Sequence, residues 1–489
     1  EEVHDADELL EAGLGMPIAE FFRSEGEEEF RRREEELVLG LLERGGVIAL
    51  GGGAVTSERV REKLSGQVTV WCQVEEEVAW ERAQTQGGRP LASIRSEFAQ
   101  RFAERQPLYR DLARAILPEG GVVTGAASAP WLDAMRAEPG VRMIWARAAS
   151  GSYPAAIGEG AARMLAAAEP DRRRFAIADA AVLAEHEGLL PPAEAVLEIE
   201  ASEERKTLGE AERLLRELAA EGARRDDLIV ALGGGVTGDL AGFVAATYQR
   251  GVPVIQIPTT VVAQVDSAYG GKTGVDLPEA KNYVGTYHQP LAVLADPAVL
   301  ATLPGEEVAA GFAEVLKTAL IAGGDLWERV RGLDFAALVA GGGDELTDLV
   351  SACARTKIEV VGSDERDAGR RAVLNLGHTV GHAIEAATGY GRYRHGEAVG
   401  LGLLAALRLS GAGDLRDEVA ESLAANGLPA SLDGEVSVDE ILDATALDKK
   451  HTSAGLGFVL LEQPGEPRWG QEVEPSNVRD AVEELHEDA

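Results

Sequence analysis

Apolar and polar positions along the chain follow two rhythms. Residues 8–45 carry apolar positions at helical spacing, with Glu and Arg dense from Glu27 to Glu36, so this stretch predicts amphipathic helix with a solvated, ion-paired face. Two short apolar runs predict strands, Val47–Leu50 and Leu228–Leu232, and each ends in three glycines, Gly51-Gly52-Gly53 and Gly233-Gly234-Gly235. A strand running into a glycine turn is the layout of an α/β phosphate or nucleotide site. Neither turn is a GxGxxG fingerprint. Val68–Trp71 predicts a further strand and 97–115 a helix. Residues 118–140 turn rich in Gly, Ala, Ser and Pro and read as a linker. From 141 to about 300, strands at 175–178, 254–257 and 292–295 alternate with helical patterns, which predicts a second α/β unit. After Pro304 helical periodicity dominates, apart from a short strand at Gly457–Leu461. The acidic tail beyond Val482 is expected to be loosely held.

A length of 489 residues suggests about three domains at ~150 residues each. The formal net charge of −36 argues against a nucleic-acid or anionic-membrane partner, though not against a small anionic substrate bound by local positive charge. No apolar run approaches the ~20 residues of a membrane span, and the acidic, polar start gives no signal peptide. Two cysteines, Cys72 and Cys353, suggest no disulfide framework and fit a reducing cytoplasm. Only eight of the 47 basic residues are lysines, and seven of those eight follow residue 200, in short polar signatures. Such a distribution suits compact ammonium groups placed for a purpose.

The densest chemistry lies in Leu374–Glu385 followed by His395-Gly396-Glu397. His378 and His382 are four apart in an apolar segment and share a helical face, and a glycine-rich break lets His395 fold back over it. Three imidazoles together suggest a divalent transition metal, zinc first. Spacing alone makes His382 a ligand as well.

Several motifs stand in order: Gly233–Phe243, Pro258–Ser267, Gly270-Gly271-Lys272-Thr273-Gly274, Lys281-Asn282, Gly311–Lys317 and the histidine pair. On these motifs, residues 141–475 resemble 3-dehydroquinate synthase. Residues 1–117 resemble shikimate kinase, through Asp5-Ala6-Asp7, Arg31, Gly51–Gly53, Arg89 and Arg105. The resemblance implies a kinase-like α/β domain (1–117), a linker (118–140), a Rossmann-like α/β NAD-binding domain (141–304) and a mainly helical metal and substrate domain (305–489). It implies conversion of 3-deoxy-D-arabino-heptulosonate 7-phosphate to 3-dehydroquinate and phosphate, with NAD and zinc or cobalt bound, in a cytoplasmic homodimer.

The roles it implies are these. Glu314, His378 and His395 hold the metal, and His382 becomes a catalytic or phosphate-contacting group instead of a ligand. Lys272, Asn282, Lys317, Lys357, Arg371 and Asn375 surround the substrate, Asp266 binds a substrate hydroxyl, and Arg250 reaches the phosphate across the dimer. Gly233, Gly234, Gly235 and Asp239 lie at the NAD pyrophosphate, with N-terminal capping a compatible role for Asp239. Asp179 lies near the adenosine ribose, Glu203 and Lys206 form a second cofactor contact, and Thr259, Thr260, Lys281 and Thr302 lie on the nicotinamide side. Gly457 stands where the family often carries Lys or Arg, which puts one phosphate contact in question. In the kinase-like half, Asp5 supports Mg²⁺ and Asp7 a shikimate hydroxyl. Arg31 and Arg105 hold the carboxylate, Gly51–Gly53 the ring, and Arg89 the transferred phosphate of ATP.

The family's GxxxxGK[ST] loop, expected ahead of Asp5, is not found, so this half is expected to be inactive as a kinase, as a piece of a longer product or as a relic. Competing readings are a sedoheptulose 7-phosphate cyclase, a metal-dependent polyol dehydrogenase, and a non-catalytic docking role for the first half.

Overall fold

The computed structural model describes residues 2–86, 94–118, 125–451 and 457–487. The chain divides into two units, Glu1–Ala137 and Glu138–Ala489.

The first unit runs β1 (Val3–Asp5), α1 (Ala6–Leu14), α2 (Ile18–Arg44), β2 (Val47–Ala49), α3 (Glu58–Leu64), β3 (Val70–Cys72), α4 (Glu76–Gln86), α5 (Arg95–Leu112), β4 (Ala115–Leu117) and α6 (Gly125–Ala134). β1 pairs with β2 and β3 with β4, both in parallel. The single helix expected over 8–45 is divided. Gly15 ends α1 in a left-handed conformation, Pro17 opens α2, and Gly26 (φ 85°) breaks α2 internally. Residue 115, expected to end a helix, opens β4, and part of the expected linker forms α6.

The second unit opens with a strand-rich lobe: β5 (Arg142–Ala148), β6 (Gly151–Ile157), α7 (Met164–Ala168), β7 (Arg174–Asp179), α8 (Ala180–His186), β8 (Ala195–Ile199), α9 (Leu208–Ala220), β9 (Leu228–Gly233), α10 (Gly235–Thr247), β10 (Val254–Pro258), β11 (Lys272–Leu277), β12 (Ala280–Tyr287) and β13 (Ala292–Ala295). Within this unit the strand order is β5-β6-β13-β10-β9-β7-β8. Every pairing in it is parallel except β5 with β6. The chain leaves β7 for β8 on one side and returns to β9 on the other, so Gly233 lies at a reversal of strand order. Ligands of open α/β sheets bind at such points. β11 and β12 form a separate antiparallel hairpin.

A helical lobe follows: α11 (Gly305–Ala322), α12 (Gly324–Val330), α13 (Phe335–Gly341), α14 (Gly343–Ser363), α15 (His378–Ala387), α16 (His395–Leu409), α17 (Gly413–Ala425), α18 (Val438–His451), the hairpin β14 (Phe458–Leu461) and β15 (Pro467–Gln471), and α19 (Pro475–Glu487). α16 is buried almost throughout, as its nearly uncharged sequence requires. It meets its neighbours backbone to backbone. A Cβ on Gly396 would lie 1.9 Å from the Ala310 carbonyl oxygen of α11, and one on Gly402 would lie 1.9 Å from that of Gly377, just before α15.

Two expectations are corrected here, and the glycine at position 457 gains a steric cause. The tail is docked: Val478, Ala481, Val482 and Leu485 recur at helical spacing on α19 and are buried. Strands β5, β6, β8, β11, β12 and β15 went unread, because β5 and β6 interleave Arg, Ser and Pro with their apolar residues and β12 is largely exposed. Gly457 is fixed by packing, since a Cβ there would lie 2.3 Å from the Gly470 carbonyl carbon. A Lys or Arg would not fit this backbone.

Candidate active site

α11 carries Glu306 and Glu307 in its first turn and is otherwise mostly apolar, yet at its centre Glu314 and Lys317 are completely buried as an ion pair. Charges so placed need partners, because desolvating an ion is expensive. Glu314 presents one carboxylate oxygen, Oε1, to two imidazoles, with His378 Nε2 at 3.6 Å and His395 Nε2 at 3.5 Å. Oε2 faces the Lys317 ammonium, and Oε1 accepts no hydrogen bond from the described residues. The ligand atoms of Glu314, His378 and His395 all lie within 4.8 Å of one another. One buried carboxylate and two half-buried imidazoles, converging on a common point, are a donor set suited to zinc or cobalt.

Each histidine turns its other nitrogen to an acceptor: His378 Nδ1 lies 3.2 Å from the Leu376 carbonyl oxygen, and His395 Nδ1 lies 3.3 Å from Glu385 Oε2. Burial disfavours a charged imidazole at both. At His378 Lys317 adds to this, and the pKa falls well below the ordinary value. At His395 the two glutamates outweigh burial and hold the pKa up at about 10. Burial raises the Glu314 carboxyl, but Lys317, His395 and His378 offset that and leave it well below the carboxylate range.

Beside this cluster a π-helical turn over Ala263–Ser267 presents Asp266. Such turns recur at functional sites. Asp266 takes Lys357 at 2.6 Å and Lys317 at 3.8 Å. Burial lowers the Lys357 pKa, only partly countered by Asp266, whereas Asp266 and Glu314 together outweigh burial at Lys317 and raise it. Two ammonium groups against two carboxylates make the cluster neutral. A divalent cation would leave it net positive, which suits an anionic substrate.

At the end of β9 the turn Gly233–Gly235 opens α10. A Cβ on Gly233 would lie 2.4 Å from Thr237 Oγ1, one on Gly234 would lie 2.8 Å from Thr260 Cγ2, and one on Gly235 would lie 3.2 Å from Ser267 Oγ. The turn lines a small cavity with Asp239, Ser267 and Lys272. No side chain among the described residues caps this helix N-terminus, the kind of place where phosphate groups bind. Asp239 does not cap α10. It pairs with buried Lys206 at 2.8 Å, which also approaches Glu203 at 3.7 Å.

The remaining candidates are spread more widely. Lys272 pairs with Asp367. The Arg371 guanidinium donates to the carbonyl oxygens of Gly270 and Glu365. Lys281 lies 3.5 Å from Glu385. Thr259 is buried, Asp179 caps α8, and Thr302 contacts His186 at 2.7 Å. Asn375 is half-buried at the end of a 3₁₀ turn shortly before α15, and exposed His382 has its ring 5.1 Å from that of His378. Arg250 and Asn282 are exposed, both at positive φ, and neither side chain bonds to the cluster. Glu385 and Asp367 were missed by sequence reasoning. Glu385 stands seven residues after His378 on the same helical face, so periodicity could have found it.

In the first unit the structure gathers Asp7, Arg31, Glu34, Arg105 and Tyr109 around Gly51–Gly53. A Cβ on Gly51 would lie 2.8 Å from both Asp7 Oδ1 and Glu34 Oε1, and one on Gly53 would lie 1.9 Å from Arg31 Nη1. Gly52 accepts a hydrogen bond from the Tyr109 hydroxyl at 2.5 Å, and Arg105 lies beside it. Asp5 instead caps α1, accepting from the Asp7 and Glu8 amides. Arg89 lies outside the described residues.

A parallel-sheet lobe with a glycine turn at its strand reversal, joined to a helical lobe with a His₂Glu cluster, defines an enzyme of the dinucleotide- and cation-dependent kind. The family models for the N- and C-terminal parts of 3-dehydroquinate synthase match residues 196–310 and 311–451, and the shikimate kinase model matches residues 2–128. The 3-dehydroquinate synthase of Gloeobacter violaceus is 44% identical over 293 residues, spanning 59% of this chain and 80% of that one. A solved 2-deoxy-scyllo-inosose synthase, complexed with carbaglucose-6-phosphate, NAD⁺ and Co²⁺, is 28% identical at a TM-score of 0.61 and covers 70% of this chain and 99% of its own. The 2-epi-5-epi-valiolone synthase of Streptomyces hygroscopicus, with NAD⁺ and Zn²⁺ bound, is 26% identical at a TM-score of 0.63, over 69% and 97%. The chain belongs to the 3-dehydroquinate synthase family and carries a shikimate kinase region ahead of the synthase. The cyclase alternative is less supported, at 26–28% identity against 44%.

Proposed function

We propose that the second unit converts 3-deoxy-D-arabino-heptulosonate 7-phosphate to 3-dehydroquinate and phosphate by means of the residues gathered at α11, α15 and α16. The observation that carries this reading is Glu314 Oε1 facing the Nε2 atoms of both His378 and His395 beside buried Lys317. When bound, NAD supplies a reversible hydride acceptor and a zinc or cobalt ion supplies a Lewis acid. Gly233–Gly235 receives the pyrophosphate on its amides, with Asp179, Thr259, Thr260, Lys281 and Thr302 along the rest of the cofactor. Lys206 and its partners Glu203 and Asp239 brace that turn. Lys317 and Lys357 hold the substrate's anionic and hydroxyl groups, and Asp266 both orders the two ammonium groups and accepts a substrate hydroxyl. His382, exposed beside the cluster, takes and returns a proton near the phosphate. Lys272, Arg371, Asn375 and Asn282 complete the enclosure. Arg250, held at positive φ on an exposed turn, reaches the site of a second copy in a homodimer.

In the first unit, Arg31 and Arg105 receive the carboxylate of shikimate, Asp7 a hydroxyl and Gly51–Gly53 the ring. Phosphoryl transfer there, with ATP, Mg²⁺ supported by Asp5 and Arg89 at the transferred group, requires in addition the GxxxxGK[ST] loop, which this sequence does not contain. No helix among the described residues is long and apolar enough to cross a membrane. The free cysteines Cys72 and Cys353 fit a cytoplasmic location, and the net charge of −36 disfavours a nucleic-acid partner.

Phosphate release from 3-deoxy-D-arabino-heptulosonate 7-phosphate, measured with NAD and zinc and again with a chelator, tests the synthase reading. Chelator-sensitive release without net NADH is expected. Release only from sedoheptulose 7-phosphate, or steady accumulation of NADH, would overturn it. The His378→Ala variant should lose bound zinc and turnover together, whereas His382→Ala should keep zinc and lose rate.

A further inference from the structure

One buried carboxylate has no part in the reaction scheme above. Glu385 is 4% exposed. It stands on α15 on the helical face that carries His378 and His382. Its Oε2 lies 3.3 Å from His395 Nδ1, and its Oε1 lies 3.5 Å from Lys281 Nζ. Lys281 comes from hairpin strand β12 of the other lobe and sits 4.5 Å above the Tyr390 ring, while the Tyr390 amide donates to the Glu385 backbone carbonyl at 2.8 Å. Glu385 is therefore held from several sides.

Glu385 faces Nδ1 of His395, whereas Glu314 faces Nε2. The two nitrogens point away from each other across the ring, so a single cation touching Glu314 and His378 does not touch Glu385. A carboxylate fixed against Nδ1 accepts a hydrogen bond from that nitrogen and sets the ring's rotation, so that Nε2 is the nitrogen turned towards Glu314. His378 is held the same way by a neutral acceptor, the Leu376 carbonyl. Carboxylate partners of this kind orient a ligating imidazole and raise its basicity. We infer that Glu385 is a positioning residue for the cation site, orienting His395 so that Nε2 faces Glu314, and that Lys281 tempers the charge Glu385 applies to it. The inference rests on the reading that Glu314, His378 and His395 hold a divalent cation.

Zinc affinity of the metal-freed full chain, measured by competition with a chromogenic chelator, separates this role from simple packing and needs no turnover. Glu385→Gln keeps the shape and loses the charge, and should weaken zinc binding about 10–100-fold, with its circular dichroism unchanged. Lys281→Met should shift affinity the other way, tightening it a few-fold, because Glu385 then acts on His395 with its full charge. A packing role predicts no such opposition of sign. The visible absorption of the cobalt-substituted chain should shift in Glu385→Gln and not in a control at exposed Glu466. Equal zinc affinity in wild type and Glu385→Gln would overturn the inference and leave the metal site standing. So would two zinc ions per wild-type chain with one lost in Glu385→Gln, since Glu385 would then be a ligand beside His382, with which it forms a second convergent group. A wild-type chain that takes up neither zinc nor cobalt would overturn the metal site and this inference with it.

Discussion

The two units use the same two devices for different ends. Each has a short strand ending in three glycines, and each has a carboxylate and a cation three residues apart on a helix, Arg31 with Glu34 and Glu314 with Lys317. In the first unit the glycines make room for charged side chains, because Arg31, Asp7 and Glu34 occupy the space a Cβ would take. In the second they make room for hydroxyl-bearing side chains at a helix start that no described side chain caps. The ion pairs differ in depth. The Arg31 side chain keeps 24% of its exposure, while both partners of the second pair keep 1%. A tripeptide or a charge spacing thus does not fix a function. The neighbours that crowd it and the water it loses do.

The largest effect expected from this contrast is at the deeper pair. Lys317→Met leaves Glu314 buried beside a lost cation, and breaking a buried pair this way costs about 3–5 kcal/mol. Chemical denaturation of the metal-free chain should show it in the second unit, and the matching Arg31→Met should cost much less in the first. A similar loss at both sites would mean that depth is not what separates them.

Next in size is the second glycine turn. Gly233→Ala adds a Cβ against Thr237 at a φ of 155°, and should weaken NAD binding at least tenfold, about 1.4 kcal/mol. Thr237→Ala in the same chain should recover part of it. Titration of cofactor fluorescence on the full chain reads both.

A smaller, pH-dependent difference follows from Glu34. Burial raises its pKa despite Arg31. A carboxyl raised on folding adds stability while protonated and loses that advantage as pH climbs through the folded-state value. Glu34→Gln should therefore raise the melting temperature slightly near neutral pH, with the gain shrinking in acid. A loss at neutral pH would show that the ion pair outweighs burial. The smallest test is chemical: exposed Cys72 should react quickly with a thiol reagent, whereas Cys353, whose pKa burial pushes up to about 12, should react only on unfolding.

Much of this was legible in sequence because the relevant residues are close together or periodic. The spacing of His378 and His382 fixed a shared face, the glycine-ended strands located both turns, and the ordered motifs singled out Glu314 and Lys317 on a helix whose other central residues are apolar. What escaped depends on contacts between distant segments. Asp239 was weighed as a helix cap because it opens a helix, yet Lys206, 33 residues earlier, claims it. The hairpin β11–β12 is exposed on much of one strand and gives no apolar alternation to read. Gly457 looked like a lost cation, and only the approach of Gly470 shows that backbone packing sets that residue.

The backbone contacts of α16 have a consequence for how the site wears. His395 is the residue before Gly396, and Gly402, two turns on, rests on the carbonyl before His378. Two of the three convergent donors therefore take their spacing from a frame in which main chain meets main chain, with no side chain between to give way. Such a frame has almost no tolerance: a single added methyl at Gly396 or Gly402 must move a whole helix, and a donor atom travels with it. The cation site can therefore be lost through a residue that carries no chemistry at all. A search for inactivating changes should look there as closely as at the histidines.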